Sequence, residues 1–431
     1  MSRAAEASPA LRLWPGAVLL ALLGISRLGV RNALEGFEGF SLAIQGTLGA
    51  GALIVLWWLF LSRAPWLERL GALAVLVGGL AASYFLRHES MGPHWLAVYA
   101  VPTACAALVI GALASRGREP AARRLVMAAL LVLTAGGWTL LRTTGIDGNH
   151  AADFQWRWSP TAEAQMLTDG NLEPAIAAPR EAAEDPALAA AAQWPGFRGA
   201  ARDGVVRGLE IETDWQASPP RELWRRPVGP GWSSFAVLGD RIFTHEQRGE
   251  EETVSAYRLD SGEPVWRHAD PVRFFESNAG AGPRATPAVA EGRVFSYGAT
   301  GILNALDAAT GAVLWSRDVA AEAEAKLPSW GFSSSPLVTD GLVIVDARGL
   351  FAYDVATGEP RWRGPSGAVH YTSPQIFTVD GVRQVVFTGG EETVGLAIDD
   401  GSRLWGYEWP GFTMVQPAQA EDGDLLVGAG A

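Results

Sequence analysis

The stretch "ALDAATGAVLW", Ala305 to Trp315, sets an Asp, a Thr-Gly pair and a Trp at fixed offsets among apolar residues. The chain repeats it. The same register gives "AYRLDSGEPVW" from Ala256, "AYDVATGEPRW" from Ala352 and "GLAIDDGSRLW" from Gly395. In every copy the Gly precedes the Trp by four: Gly262 and Trp266, Gly311 and Trp315, Gly358 and Trp362, Gly401 and Trp405. Successive Trp residues are 49, 47 and 43 apart, the length of one four-stranded propeller blade, and such a period reveals a repeat architecture before anything else does. An earlier Trp224 lies 42 before Trp266 and lacks the upstream motif; it reads as a lone outer strand.

Each part of the motif has a structural job. Apolar residues such as Leu303 and Leu306 alternate in strand fashion, so one face of the sheet meets the next blade. The polar segment ending in Thr-Gly is a hairpin in which Asp307 or Asp354 accepts backbone N–H bonds and the Gly takes a positive φ. The Trp buries a large ring on the outermost strand and needs an acceptor for its indole N–H. A catalytic role for the Asp is disfavoured, because Arg258 and Ala397 stand at its position in the first and last copies.

These residues resemble the A-x-D-x-x-T-G-x-x-x-W repeat of the pyrroloquinoline quinone (PQQ) or quinoprotein-like β-propellers, from about Trp194 to the end of the chain. The copies at Ala305 and Ala352 match every fixed position. The resemblance implies an all-β propeller of four-stranded blades. Its members include quinone-dependent alcohol and sugar dehydrogenases and an outer-membrane assembly lipoprotein without a cofactor, so fold alone leaves the chemistry open. Five blade-opening strands are legible, in "GWSSFAVLGDRIF", "GPRATPAVAEGRVF", "WGFSSSPLVTDGLVIV", "VHYTSPQIFTVDGVRQVVF" and "FTMVQPAQAEDGDLLVG", against four motif-bearing ends. The expectation is four blades plus part of a fifth. Since the resembled proteins have seven or eight blades, it reads as a ring cut short at its C-terminus, or else as a four-bladed ring closed by the Trp224 strand.

Composition changes sharply near residue 142. Five apolar stretches precede it, Leu13 to Val30, Ser41 to Leu61, Leu70 to Leu86, Trp95 to Ala114 and Leu125 to Leu141, each near bilayer-spanning length; a secretory signal explains only the first. Placing the N-terminus inside puts Arg3, Arg12, Arg63, Arg69, Arg116, Arg118, Arg123 and Arg124 on the cytoplasmic side against Arg31, Arg87 and Arg142 outside, the bias that sets orientation. With five spans, the propeller is then exported, to the periplasm or cell exterior of a bacterium, whose high-GC codon bias the single Lys326 suggests. A five-span anchor before a quinoprotein propeller resembles the layout of membrane-bound glucose dehydrogenase. The expected division is a membrane domain over 1–142, a linker or stalk over 143–193 rich in Ala, Pro and Glu, and the propeller over 194–431. "DFQWRW", Asp153 to Trp158, fits either a membrane interface or a propeller surface.

Charge sharpens the division. Residues 1–142 hold 12 Arg and 6 acids, and the whole chain carries −12, so the exported part is strongly acidic and nucleic acid is excluded as a partner. The only Cys, Cys105, lies in the fourth apolar stretch, which excludes an intrachain disulfide and a thiolate metal cluster. His88, Glu89 and His94 in the loop "RHESMGPHW" form a polar loop between spans rather than a metal or quinone site.

In the resembled dehydrogenases PQQ lies near the propeller axis, stacked on a Trp, with cations on its carboxylates, a calcium ion and an Asp base. The strand starts here supply Trp232, Asn278, Arg284, Trp330, His370 and Tyr371 as ligand or cofactor candidates, with Ser233, Ser234, Thr286, Phe332, Ser334, Thr372 and Gln416 beside them. Arg284 suits a carboxylate, and Trp232 or Trp330 a stacking floor. Calcium wants six to eight oxygens including carboxylates, and Glu276 is the only acid near these starts. The expectation is therefore a non-catalytic binding or scaffold module of the cell envelope, without catalytic or metal residues and with lipid and envelope proteins as partners. The alternative is a PQQ- and calcium-dependent alcohol or sugar dehydrogenase passing electrons to membrane quinone.

Overall fold

A computed structural model describes residues 11–34, 36–146, 152–168, 192–365, 371–390, 392–408 and 413–428. It divides into two compact units, Met1–Ser159 with Ser277–Gly280, and Pro160–Glu276 with Ala281–Ala431. The stalk expected before residue 192, and His370, lie largely or wholly outside the described residues.

The first unit is helical. Among the described residues four helices are long and apolar enough to cross a membrane: Glu38–Leu61, Trp66–Leu86, Pro93–Ala114 and Pro120–Thr139; Trp14–Val30 is a shorter apolar helix. The fifth apolar stretch ends differently from its sequence reading. Helix stops at Thr139, and Leu141–Ile146 instead forms a strand that pairs antiparallel with Ala152–Trp156. Near the other end of the helices, the Glu68 carboxylate takes two 2.8 Å hydrogen bonds from Arg123 with both side chains buried, a paired arrangement that buried charge requires. His88 turns back on its own loop, with Nδ1 3.0 Å from Ser90 Oγ, and burial lowers its pKa.

The second unit is built from four-stranded antiparallel meanders. Blade I comprises Ala236–Leu238, Arg241–Arg248, Glu251–Arg258 and Pro264–Asp270. Blade II comprises Ala288–Ala290, Arg293–Tyr297, Ile302–Asp307 and Val313–Asp318. Blade III comprises Leu337–Thr339, Leu342–Asp346, Leu350–Asp354 and Pro360–Arg363, and blade IV Gln375–Val379, Val382–Gly389, Glu392–Leu396 and Arg403–Glu408. A two-stranded piece, Ala418–Gln419 with Leu425–Leu426, opens a fifth. The five starts and four ends legible in the sequence correspond, among the described residues, to these four complete blades and the two-stranded piece.

The motif works as a lock between blades. In blade II, Asp307 Oδ1 accepts from the N–H groups of Ala309 and Thr310 and from the Thr310 hydroxyl, at 3.1, 2.8 and 2.7 Å. Asp354 does the same for Ala356 and Thr357. The outer hairpin carries a register shift in all four copies, and Gly262, Gly311, Gly358 and Gly401 take φ of 69, 73, 70 and 70°, a conformation costly for any residue with a Cβ. A second reason for glycine is the indole of the preceding blade. A Cβ on Gly311 would stand 2.5 Å from Trp266 Cε3, one on Gly358 2.6 Å from Trp315 Cδ2, and one on Gly401 2.5 Å from Trp362 Cε3. Each indole N–H then donates to the carbonyl three residues before that Gly: Trp266 to Ala308 (3.0 Å), Trp315 to Val355 (3.0 Å) and Trp362 to Ile398 (2.8 Å).

Trp224 corrects its sequence reading in part. No strand runs through it, yet its indole covers Gly262 and donates to Leu259 at 3.0 Å in the same geometry. The lock needs one side chain and one turn, so it forms without a fourth ladder. Trp405 differs again: its N–H donates within blade IV, to Gln384 Oε1 at 2.6 Å.

Candidate functional site

Hydroxyl residues stitch the axis-facing strand starts together. Ser234 N–H donates to Thr286 Oγ1, Thr286 N–H to Ser335 Oγ, and Ser335 N–H to Ser373 Oγ, at 3.0, 3.0 and 2.9 Å. The ladder therefore steps from blade I to blade IV. Pro287, Pro336 and Pro374 follow three of its members; proline holds the preceding residue extended and brings no N–H to satisfy at the crowded axis. Sequence reasoning chose the neighbours Ser334 and Thr372 instead of Ser335 and Ser373. The hydroxyl-Pro dipeptide was the signal that distinguishes them.

A segment that sequence reading assigned no role crosses these strands. Trp194 exchanges backbone hydrogen bonds with Val237 of blade I, and Pro195 O accepts from Val289 of blade II. Arg202 donates to Pro336 O and Ser335 O of blade III at 2.9 and 3.1 Å, and Gln375 of blade IV reaches Arg202 O at 3.4 Å. Burial lowers the Arg202 guanidinium to about 10, which leaves it charged at neutral pH. The run from Trp194 to Arg202 thus lies across the inner strands of all four blades.

Three of the candidate residues converge at the strand starts. Arg284 donates from Nη2 to Glu276 Oε1 and from Nε to Trp330 O, both at 3.2 Å, and its guanidinium lies 5.0 Å from the Phe274 ring centre. The Trp330 and Tyr371 rings are 4.9 Å apart, and burial raises the Tyr371 phenol. Trp232 anchors by its backbone N–H to Pro283 O at 2.8 Å and is 62% exposed. Asn278 falls within Ser277–Gly280, which groups with the helical unit.

The seam between blades I and II holds acids that sequence reading missed. Glu252 and Asp270 are register partners. Glu252 Oε1 accepts the Ala299 N–H at 3.0 Å, and Asp270 accepts from Asn304 Nδ2 at 2.7 Å and faces His268 Nε2 at 3.3 Å. Burial pushes Glu252 up to about 7; the Ala299 N–H opposes the shift and Asp270 adds repulsion. His245 is buried with neither ring nitrogen hydrogen-bonded among the described residues, and burial pulls it down to about 4. The corresponding seams further round are apolar, with Phe295 and Leu303 against Val343 and Val345, and Ile344 and Leu350 against Val385 and Phe387. The missed signal is the polar run "THEQRGEEETVS", Thr244 to Ser255, inside strands of otherwise apolar type.

Among the described residues no three His, Cys, Asp or Glu side chains are grouped to hold a metal ion. The cation suited to a cofactor carboxylate, Arg284, already has a protein carboxylate and a carbonyl.

A family profile described as outer membrane protein assembly factor BamB matches residues 203–369 and, overlapping, 250–414. The outer membrane protein assembly factor BamB of Shewanella oneidensis is 32% identical over 155 residues, covering 33% of this chain and 36% of that protein. The match thus spans little more than a third of the relative's length. Among solved structures, BamB from Moraxella catarrhalis aligns at 18% identity and TM-score 0.31, covering 46% of this chain and 75% of that one. The quinohemoprotein alcohol dehydrogenase from Comamonas testosteroni aligns at 18% identity and TM-score 0.34, covering 46% and 39%.

Proposed function

We propose that this chain, whose residues 203–414 match a family profile described as outer membrane protein assembly factor BamB, is a membrane-held propeller that works by binding a protein of the cell envelope and carries out no reaction of its own. The observation that carries the reading is Arg284. It is tied to Glu276 and to the Trp330 carbonyl, so this cation, suited to an acidic cofactor, serves to hold the strand starts together. Around it, Trp232, Trp330 and Tyr371 offer aromatic surface, the residue type that anchors protein interfaces. The Shewanella relative's name, an outer membrane protein assembly factor, favours an envelope protein as partner.

In this reading residues 1–142 sit in the bacterial cytoplasmic membrane with the N-terminus inside, 143–193 link, and 194–431 face the periplasm or exterior. The arginine asymmetry across the apolar stretches supports that orientation. A photo-crosslinking amino acid at position 232, introduced in living cells, tests the function. A discrete adduct with an envelope protein, weakened by Tyr371→Ala, is expected. Uniform absence of adducts at 232, 330 and 371 contradicts the binding role and leaves the PQQ-dependent dehydrogenase as the reading to pursue.

A further inference from the structure

The hairpin that follows the last membrane helix carries two adjacent indoles with no place in the propeller's chemistry. Trp156 and Trp158 stack at 5.2 Å with their planes 6° apart, and are 52% and 64% exposed. Their position is fixed by the residue between them. Arg157 donates from Nη1 to the carbonyl of Thr139 at 2.9 Å and to that of Leu86 at 3.3 Å, and its own N–H donates to Leu140 O at 2.9 Å. Leu86 and Thr139 are the last residues of two of the apolar helices. A cation on the orphan carbonyls of a helix C-terminus is favourable, and here one guanidinium reaches two such ends. The indoles are therefore held level with the point where both helices stop.

The hairpin's faces agree with this placement. Phe154, two residues before Trp156 and so on the same side of the strand, packs edge-on against Tyr99 and Trp138 of the neighbouring helices at 5.0 and 5.5 Å. Asp153, on the other side, is exposed and takes a hydrogen bond from Thr144 at 2.9 Å. At the same level Tyr84 lies beneath the Arg87 guanidinium, beside exposed Phe85 and Leu86. Indoles are enriched where a bilayer's acyl region meets its headgroups, because their rings are apolar and their N–H is wet.

We propose that the paired strands Leu141–Ile146 and Ala152–Trp156 lie against the bilayer surface, with Trp156 and Trp158 seated in the headgroup–acyl boundary of the leaflet in which helices Trp66–Leu86 and Pro120–Thr139 end. It rests on these helices spanning a membrane and is independent of what the propeller binds. The occupant of the indole face is lipid.

The test places a nitroxide at position 158 or 153 of the full chain, as Trp158→Cys or Asp153→Cys in a Cys105→Ala background, reconstituted in phosphatidylcholine–phosphatidylglycerol vesicles. Accessibility to oxygen and to a water-soluble nickel chelate is read by electron paramagnetic resonance. The expected result is an oxygen-to-nickel ratio several-fold higher at 158 than at 153, with 153 as accessible to nickel as a label at exposed Ser261. Equal nickel access at 158 and 153 overturns the proposal, whether both labels lie in water or both in lipid. If Trp158→Cys fails to fold, the label at 156 with Trp158 intact is read the same way.

Discussion

The lock between blades makes a quantitative prediction that separates backbone strain from side-chain collision. Gly311→Ala and Gly341→Ala both place a Cβ on a residue with φ of 73°. At Gly341 nothing lies within 4 Å of the new atom, whereas at Gly311 it would stand 2.5 Å from the Trp266 ring. Gly341→Ala should therefore cost only the left-handed conformation, about 1–2 kcal/mol. Gly311→Ala adds the displacement of an almost fully buried indole. Overpacking costs about 1–3 kcal/mol more, and losing the Trp266 bond to Ala308 O about 1 kcal/mol if the ring swings out. The expected difference between the two variants is about 2–3 kcal/mol, the sum of those two costs taken near their lower ends. Urea unfolding of the full chain in detergent, followed by near-ultraviolet circular dichroism of the tryptophans, measures it. Gly358→Ala and Gly401→Ala should behave as Gly311→Ala does, and Gly292→Ala and Gly381→Ala, which also meet nothing within 4 Å, as Gly341→Ala. Equal costs in the two sets would refute the lock, leaving the glycines as turn formers only.

The seam between blades I and II predicts opposed pH dependences. Glu252 titrates near 7 when folded against about 4.5 unfolded, so its contribution to stability is complete below about pH 4.5 and is lost as pH rises to about 7. His245 titrates near 4 against 6.5; its contribution is complete above pH 6.5 and is lost as pH falls towards 4. Each spans about 3 kcal/mol at 1.36 kcal/mol per pH unit, and over about pH 4.5–6.5 the two cancel. Relative to wild type, Glu252→Gln should lose stability on acidification and His245→Gln should gain it; parallel profiles of unfolding midpoint against pH would exclude the scheme. In the helical unit, Arg123→Ala leaves the buried Glu68 carboxylate only the half-exposed Arg124, 3.9 Å away, and should cost about 3 kcal/mol, with Glu68→Ala/Arg123→Ala recovering much of the loss, measured by thermal unfolding in detergent. Arg202→Ala should loosen the segment that crosses the blades, seen as faster hydrogen exchange at Ser335 and Pro336's neighbours with exchange in the outer strands unchanged.

What could be read from the sequence follows the range of the interactions involved. The blades were legible because Gly and Trp recur within one hairpin, and the spans because apolar length is a local property. The partners of Trp266, Trp315 and Trp362 lie 36 to 42 residues away in the next blade, so the glycine's second purpose showed only in three dimensions. The crossing of the blades by Trp194 to Arg202 left no local trace, since backbone carbonyls receive its arginine and any sequence supplies carbonyls. Arg284 illustrates the same limit: its charge was visible, whereas the carboxylate eight residues before it became a partner only once the strand starts had been brought together. Glu252, Asp270 and His245 sit at alternating positions of ordinary strands, where their inward direction is set by register.

The central claim is that this propeller binds without catalysing. Calorimetric titration of the purified full chain with PQQ in calcium buffer, with dye reduction by alcohols and sugars followed on the same samples, tests it most directly. The account predicts no saturable heat and no reduction above background, for wild type and Arg284→Ala alike. Saturable one-to-one uptake accompanied by dye reduction, both lost in Arg284→Ala, would contradict it.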